Sequence, residues 1–208
     1  MNTMKFSGIT QTDGGVYQNV KIEGVAKING DITCEELSLQ GVSTFKGDLT
    51  CTDVHIEGTC KIAGDVKSRH CRLSGLINVG RDLEAESFTG RGALKVGGSL
   101  NAEKADIRFV YGSSAHEVCG QQLKIQRENA NGALEFITDL IPWRHKGKSF
   151  RCALIEGDDI DVEHVTADTV RGKNVRIGAE CQIRLVEYHE TVSIHPQARV
   201  ESTVKLEG

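Results

Sequence analysis

The residues whose types could do chemistry in this 208-residue sequence are seven histidines, seven cysteines, a set of regularly spaced aspartates and the tripeptide Gly147-Lys148-Ser149. The tripeptide has the ending of a phosphate-binding loop, in which backbone amides and a lysine cradle phosphates. Pro142 stands where such a loop needs its first glycine, and no strand pattern precedes it, so no nucleotide is expected. His55, His70, His116, His145, His164, His189 and His195 share no spacing and read as solvent-facing side chains. Cys51, Cys60 and Cys71 are nine and eleven apart, and no Cys-x-x-Cys pair occurs, which is wrong for structural zinc. An odd number of cysteines without a signal-like leader argues for reduced thiols in a reducing compartment. Cleavage of a glycosidic bond needs carboxylates flanking that bond. The nearest candidates, Asp31, Asp48, Asp65 and Asp82, recur at the same place in successive turns, three of them directly after a glycine, and read as corner-forming residues. No catalytic residue, metal ligand or cofactor site is assigned, and the chain is not expected to be an enzyme.

Composition narrows the partners. The formal net charge is −4 with mixed signs, which gives no basic footprint for nucleic acid. The longest apolar run, Cys152-Ala153-Leu154-Ile155, is far too short to span a bilayer. Met1 to Ile9 contains a single Lys and no apolar core, unlike a secretory signal, so a cytoplasmic protein is expected. With 23 glycines, two prolines and 5% aromatics, turns are made by glycine and the core is aliphatic.

The elements that hold these residues follow from a repeat. Gly24, Gly41, Gly58, Gly75 and Gly92 are each seventeen apart. A second glycine column, Gly30, Gly47 and Gly64, breaks at Arg81. Apolar columns keep the same phase: Val20, Leu37, Val54, Cys71 and Phe88; Ile28, Phe45, Ile62, Val79 and Val96; Ile32, Leu49, Val66, Leu83 and Leu100. Within a unit, apolar pairs two residues apart alternate with polar residues, as in short strands. Seventeen residues are too few for a helix-pair repeat, so a β-solenoid remains, its coils stacked at about 4.8 Å around a narrow core. Acyltransferases built of six-residue repeats run eighteen per turn, and the period here argues against them. Cys34 above Cys51 brings two thiols close on adjacent coils, where they read as small buried hydrophobes.

The phase fades after Ile107, persisting weakly through Gly120 to Ile125, and returns in Val175/Ile177 with Ile183 and Val192/Ile194 with Val200. Just before, Ile160/Val162, Val165/Ala167, Val170/Gly172 and Val175/Ile177 recur every five residues. The expected organisation is a solenoid block over 1–108, an insertion over 109–153 holding a hairpin or short helix, and coils over 154–208 continuing the same solenoid. In the insertion, Leu134, Ile137, Leu140 and Ile141 have helix-like spacing and lead to Trp143, Arg144, Lys146 and Lys148. An apolar face beside tryptophan and basic residues can seat in a membrane interface. Contact with a partner protein, or folding back over one solenoid face, are the other uses open to it.

The stretches Gly14 to Gly24, Ile28 to Leu37, Val170 to Gly178 and Val186-Glu187-Tyr188 together resemble the bactofilins, a polymer-forming bacterial cytoskeletal family, and in particular its shorter Firmicutes-type relatives. The resemblance implies a right-handed parallel β-helix of triangular section that joins end to end into nucleotide-independent filaments, a scaffold for cell shape, envelope organisation or motility. It implies self-association, or co-assembly with a paralogue, in the cytoplasm or peripherally at the inner face of the cell membrane. The chain departs from the usual family pattern in its insertion and its short tails. A non-polymerising solenoid adaptor that binds protein partners or the membrane surface is the alternative.

The physics also favours assembly. An end coil of a solenoid shows an unpaired edge and half a core layer, and neither end of this sequence offers a strong cap. One or both ends are therefore expected to stack on another subunit, with Val192, Ile194 and Val200 near the C-terminal contact.

Overall fold

The computed structural model describes residues 3–129 and 148–207. It contains β1 (Thr3–Thr12), β2 (Gly15–Val16), β3 (Asn19–Ile28), β4 (Ile32–Phe45), β5 (Leu49–Ile62), β6 (Val66–Val79), β7 (Leu83–Val96), β8 (Ser99–Phe109), β9 (Ser113–Ser114), β10 (Glu117–Arg127), β11 (Phe150–Val162), β12 (Val165–Ile177), β13 (Gln182–Ile194) and β14 (Arg199–Lys205), with no helix among the described residues. The strands form one 14-stranded sheet whose main path follows chain order from β1 to β14. Strand pairs are parallel throughout, so the chain is a β-solenoid and the C-terminal coils continue the N-terminal ones.

The coil length follows from how many residues each corner takes. In β4 the inward, buried pairs are Ile32/Cys34, Leu37/Leu39 and Ser43/Phe45, and the next coil begins at Leu49. The steps between pairs are five, six and six residues, which make the seventeen that bring Cys34 over Cys51. In β11 the inward pairs are Phe150/Cys152, Ile155/Gly157 and Ile160/Val162, and the next coil begins at Val165, so every step is five. A coil of fifteen results, and Phe150 pairs with Val165 accordingly. The longer N-terminal coils therefore carry one additional residue at each of two corners. One of those corners is the glycine column, where Gly24, Gly41, Gly58, Gly75 and Gly92 have φ between 118° and 133°. L-residues with a Cβ rarely take that conformation. A Cβ at Gly58 would also collide with the carbonyl oxygen of Gly41 one coil away.

One rung departs from the common phase and one boundary differs from expectation. The first complete rung is β1, paired with β3 from Thr3↔Asn19 to Thr12↔Ile28 at an offset of sixteen, so it lies out of phase with the seventeen-residue columns. The insertion is narrower than 109–153. Within that range, β9 stacks on β7 and β11, and β10 pairs with both β8 and β11. The phase is lost there because Phe109 stands opposite Gly92 and three residues, Val110 to Gly112, separate it from the next inward pair, Ser113/Ala115. The coil lengthens to eighteen, pairing Ser99 with Glu117. The Phe109 ring packs 6.1 Å from that of Phe150 at a tilt of 53°, joining the coils before and after the interruption. That interruption falls between Arg127 and Phe150, at the same corner that the glycines turn in earlier coils.

The core is one aliphatic column set with phenylalanine at Phe45, Phe88, Phe109 and Phe150, all fully buried. The glycine corner yields a test. Gly58→Ala should lower the unfolding free energy by at least about 2 kcal/mol through strain and displacement of the Gly41 carbonyl. The neighbouring Thr59→Ala should stay within about 0.5 kcal/mol in the same urea titration.

Candidate assembly surfaces

The two ends of the solenoid are built from the same columns as its core. Among the described residues, β1 has only β3 beside it and β14 has only β13, so both outer edges keep unpaired backbone groups. At the C-terminal end Val192 stacks on Val175, Ile194 on Ile177, and Val200 on Ile183. Val175, Ile177 and Ile183 are at most 2% exposed, whereas Val192 and Val200 are half-buried and Ile194 is 39% exposed. The three residues expected at a self-association contact are thus the last members of core columns that lose their cover at the final rungs. The last rung is itself partly polar, with Thr203 over the buried Val186. At the other end, Met4 and Phe6 of β1 cover Val20 and Ile22. Sequence reasoning missed them, although Met4-Lys5-Phe6 alternates as a strand does and Gly8 precedes Gly24 by one short coil.

A second apolar surface runs along the glycine edge. Ile9, Val25 and Val42 pair in register on successive rungs, and they are 89%, 46% and 47% exposed. Its signal in the sequence is the valine after each of Gly24 and Gly41.

The aspartate ladder has a structural role. Oδ1 of Asp31 accepts the backbone N–H of Asp48 at 2.8 Å, Asp48 that of Asp65 at 2.9 Å, Asp65 that of Asp82 at 3.0 Å, and Asp82 that of Ser99 at 2.7 Å. Each carboxylate therefore closes the corner of the coil above it. Its oxygen fills the space a Cβ would need at Gly47, Gly64 and Gly98, which explains the second glycine column. Arg81, where that column breaks, lies against Asp48 and 3.3 Å from Asp65. The hydrogen bond from the Asp65 amide and the guanidinium of Arg81 hold the Asp48 carboxyl below the usual carboxylate range.

Charges elsewhere also pair from coil to coil. Lys67 meets Glu84 at 2.9 Å, Lys173 meets Asp158 at 3.0 Å, and Arg171 reaches Glu187 at 2.7 Å and Glu156 at 3.7 Å. Such exposed pairs contribute little stability individually, but like charges stacked at the same places would repel. A shallow groove of about 630 Å³ crosses the coils from β7 to β13, in which Arg176 lies 3.8 Å from Asp161 and the Asn174 amide donates to Asp159 at 2.9 Å. The thiols of Cys71 and Cys181 are buried, and burial pushes them up to about 12 and about 11, which leaves them inert. His55 lies 3.0 Å from Glu57 and His70 2.9 Å from Ser87, on the outer surface and in no common site. Of the residues expected at a membrane or partner contact, Ile137, Ile141, Trp143, Arg144 and Lys146 lie outside the described residues, and Lys148 is exposed where the chain re-enters β11.

The depressed Asp48 carboxyl adds stability above its unfolded-state pKa that is lost as pH falls through the folded-state value. Asp48→Asn keeps an oxygen acceptor for the Asp65 amide and removes the charge. Its unfolding free energy should therefore decline less steeply than that of the unsubstituted protein between about pH 5 and pH 2 in urea titrations.

Comparison with known proteins agrees with this architecture. Residues 2–87 match the family model Bactofilin, described as polymer-forming cytoskeletal. Over 53 residues the chain is 49% identical to uncharacterized protein YhbE of Bacillus subtilis (strain 168), a stretch covering 26% of this chain and 22% of that protein. Over 63 residues it is 38% identical to uncharacterized protein YhbF of the same organism, covering 30% of this chain and 26% of that protein. The matched stretch thus spans about a quarter of each relative's length. No solved structure matches the chain. Through the coils of residues 2–87, which include the stretches Gly14 to Gly24 and Ile28 to Leu37, the chain is similar to the bactofilin family.

Proposed function

We propose that the protein is a non-enzymatic scaffold whose copies stack end to end into filaments that need no nucleotide, serving cell shape, envelope organisation or motility from the cytoplasmic side. The observation that carries this reading is the state of the last rungs. Val192, Ile194 and Val200 continue buried columns into partial exposure, and no described strand covers the outer edge of β14. Another solenoid end placed there would satisfy the edge amides and carbonyls and complete the core layer at once. The family match to a polymer-forming cytoskeletal domain supports the same assignment. Among the described residues no cluster of three or more His, Cys, Asp or Glu side chains could hold a metal ion, and outward Lys67 and Lys173 pair with Glu84 and Asp158 of neighbouring coils. Among the described residues no helix is long and apolar enough to cross a membrane.

An end contact has a direct test. Ile194→Asp puts a charge into the proposed apolar contact while changing a side chain that is already 39% exposed, so the fold should persist. Burying that carboxylate should raise the concentration needed for assembly at least about tenfold, the equivalent of about 1.4 kcal/mol. Sedimentation velocity and negative-stain microscopy should show elongated assemblies of the unsubstituted protein without added nucleotide, and smaller species of the variant with unchanged circular dichroism. Monodisperse monomers of the unsubstituted protein at every concentration would contradict the proposal and fit the adaptor alternative.

A further inference from the structure

We propose that Cys34 and Cys51 form a reversible disulfide staple between adjacent coils when the protein meets a peroxide. The two residues are register partners on β4 and β5, both point inward, and their Sγ atoms lie 2.7 Å apart in a thiol–thiol hydrogen bond. Adjacent rungs are about 4.8 Å apart, inside the Cα separation that a disulfide spans without backbone movement. Among the described residues no other cysteines are register partners. Cys60 pairs with Ser43 and Ile77, Cys71 with Val54 and Phe88, and Cys152 with Ala167.

The pair is also asymmetric. The contact with the Cys51 sulfur lowers the Cys34 thiol, while the same contact and burial raise that of Cys51. Cys34 also lies one coil nearer the N-terminal edge than Cys51, and is therefore the sulfur placed to attack. The residue above it in the column is Tyr17, which follows the two-residue strand β2 and is only partly buried. The proposed path of hydrogen peroxide to Cys34 is past this partly buried ring. The Cys34 thiolate attacks one peroxide oxygen, the O–O bond breaks, and the departing hydroxide takes a proton and leaves as water. Cys51 sulfur then attacks the Cys34 sulfenic sulfur, the S–O bond breaks, and that hydroxide leaves with the Cys51 proton as a second water. Two thiols are oxidised and one peroxide is reduced to two waters. The bridge closes a seventeen-residue loop and ties β4 to β5 near the N-terminal edge.

The test uses the full chain, reduced, treated with hydrogen peroxide, then denatured and blocked with N-ethylmaleimide. Reactive thiols should fall from seven to five. Trypsin cuts after Lys46, between the two cysteines, so their peptides should stay joined until a reductant is added. The thermal midpoint of the oxidised protein should rise by at least about 4 °C. Cys51→Ser places there the residue that the next coil already has at Ser68, so it should fold. It should lose both the linkage and the rise, and leave Cys34 as a sulfenic acid that dimedone traps. Seven free thiols after treatment, a linkage through any other cysteine, or bridges only between molecules would overturn the proposal.

Discussion

Every interior rung of this molecule is hydrogen-bonded to the rung before it and the rung after it, in register and in parallel, and its inward side chains are covered only by those two neighbours. A coil of fifteen to eighteen residues presents about six inward positions, too little apolar surface to offset the entropy of ordering its own backbone. Stability therefore resides in the stack and not in the coil. The chemically uniform columns follow from this constraint, since Ile32, Leu49, Val66, Leu83 and Leu100 must fill one continuous channel. So does the aspartate ladder, in which each carboxylate satisfies an amide of the next corner. The same constraint makes the two ends unlike the middle.

Corner chemistry sets how wide the stack is and where it can be interrupted. A corner with left-handed glycine admits one more residue than the tight five-residue step of β12, so the N-terminal coils are longer than the coil that joins β11 to β12. The glycine edge is also where the Phe109 departure and then the interruption after Arg127 occur. A corner points away from the core and takes no part in the inward pairs, so chain added there leaves the columns intact. The contact of Phe109 with Phe150 keeps the core continuous past the gap.

Most of the fold was legible in the sequence because a parallel in-register stack copies its spacing into the chain. The columns through Val20, Ile28 and Ile32 could be read directly, as could the five-residue recurrence from Ile160 to Ile177 and the meeting of Cys34 with Cys51. Reading failed where the coil length changed. β1 is one residue short of the common period, and the coil through β9 is one residue long, so both fell out of phase although their side chains alternate correctly. Val192, Ile194 and Val200 could be placed in columns from their spacing alone. Their place in the last coils also marked them as the members that lose their cover, as their partial exposure bears out. Arg81 bridging two aspartates of earlier coils was invisible, since a long side chain reaches across rungs without leaving a periodic mark.

If the open rungs are what the molecule uses, the axis of the solenoid must be the axis of whatever it builds. Fibre diffraction or cryo-electron microscopy of protein assembled without nucleotide measures this directly. The account predicts unbranched filaments no wider than one or two solenoids, with the roughly 4.8 Å rung spacing running along the filament axis without a break at subunit junctions. Filaments with that spacing across the axis, or a protein that stays monomeric at high concentration, would contradict it.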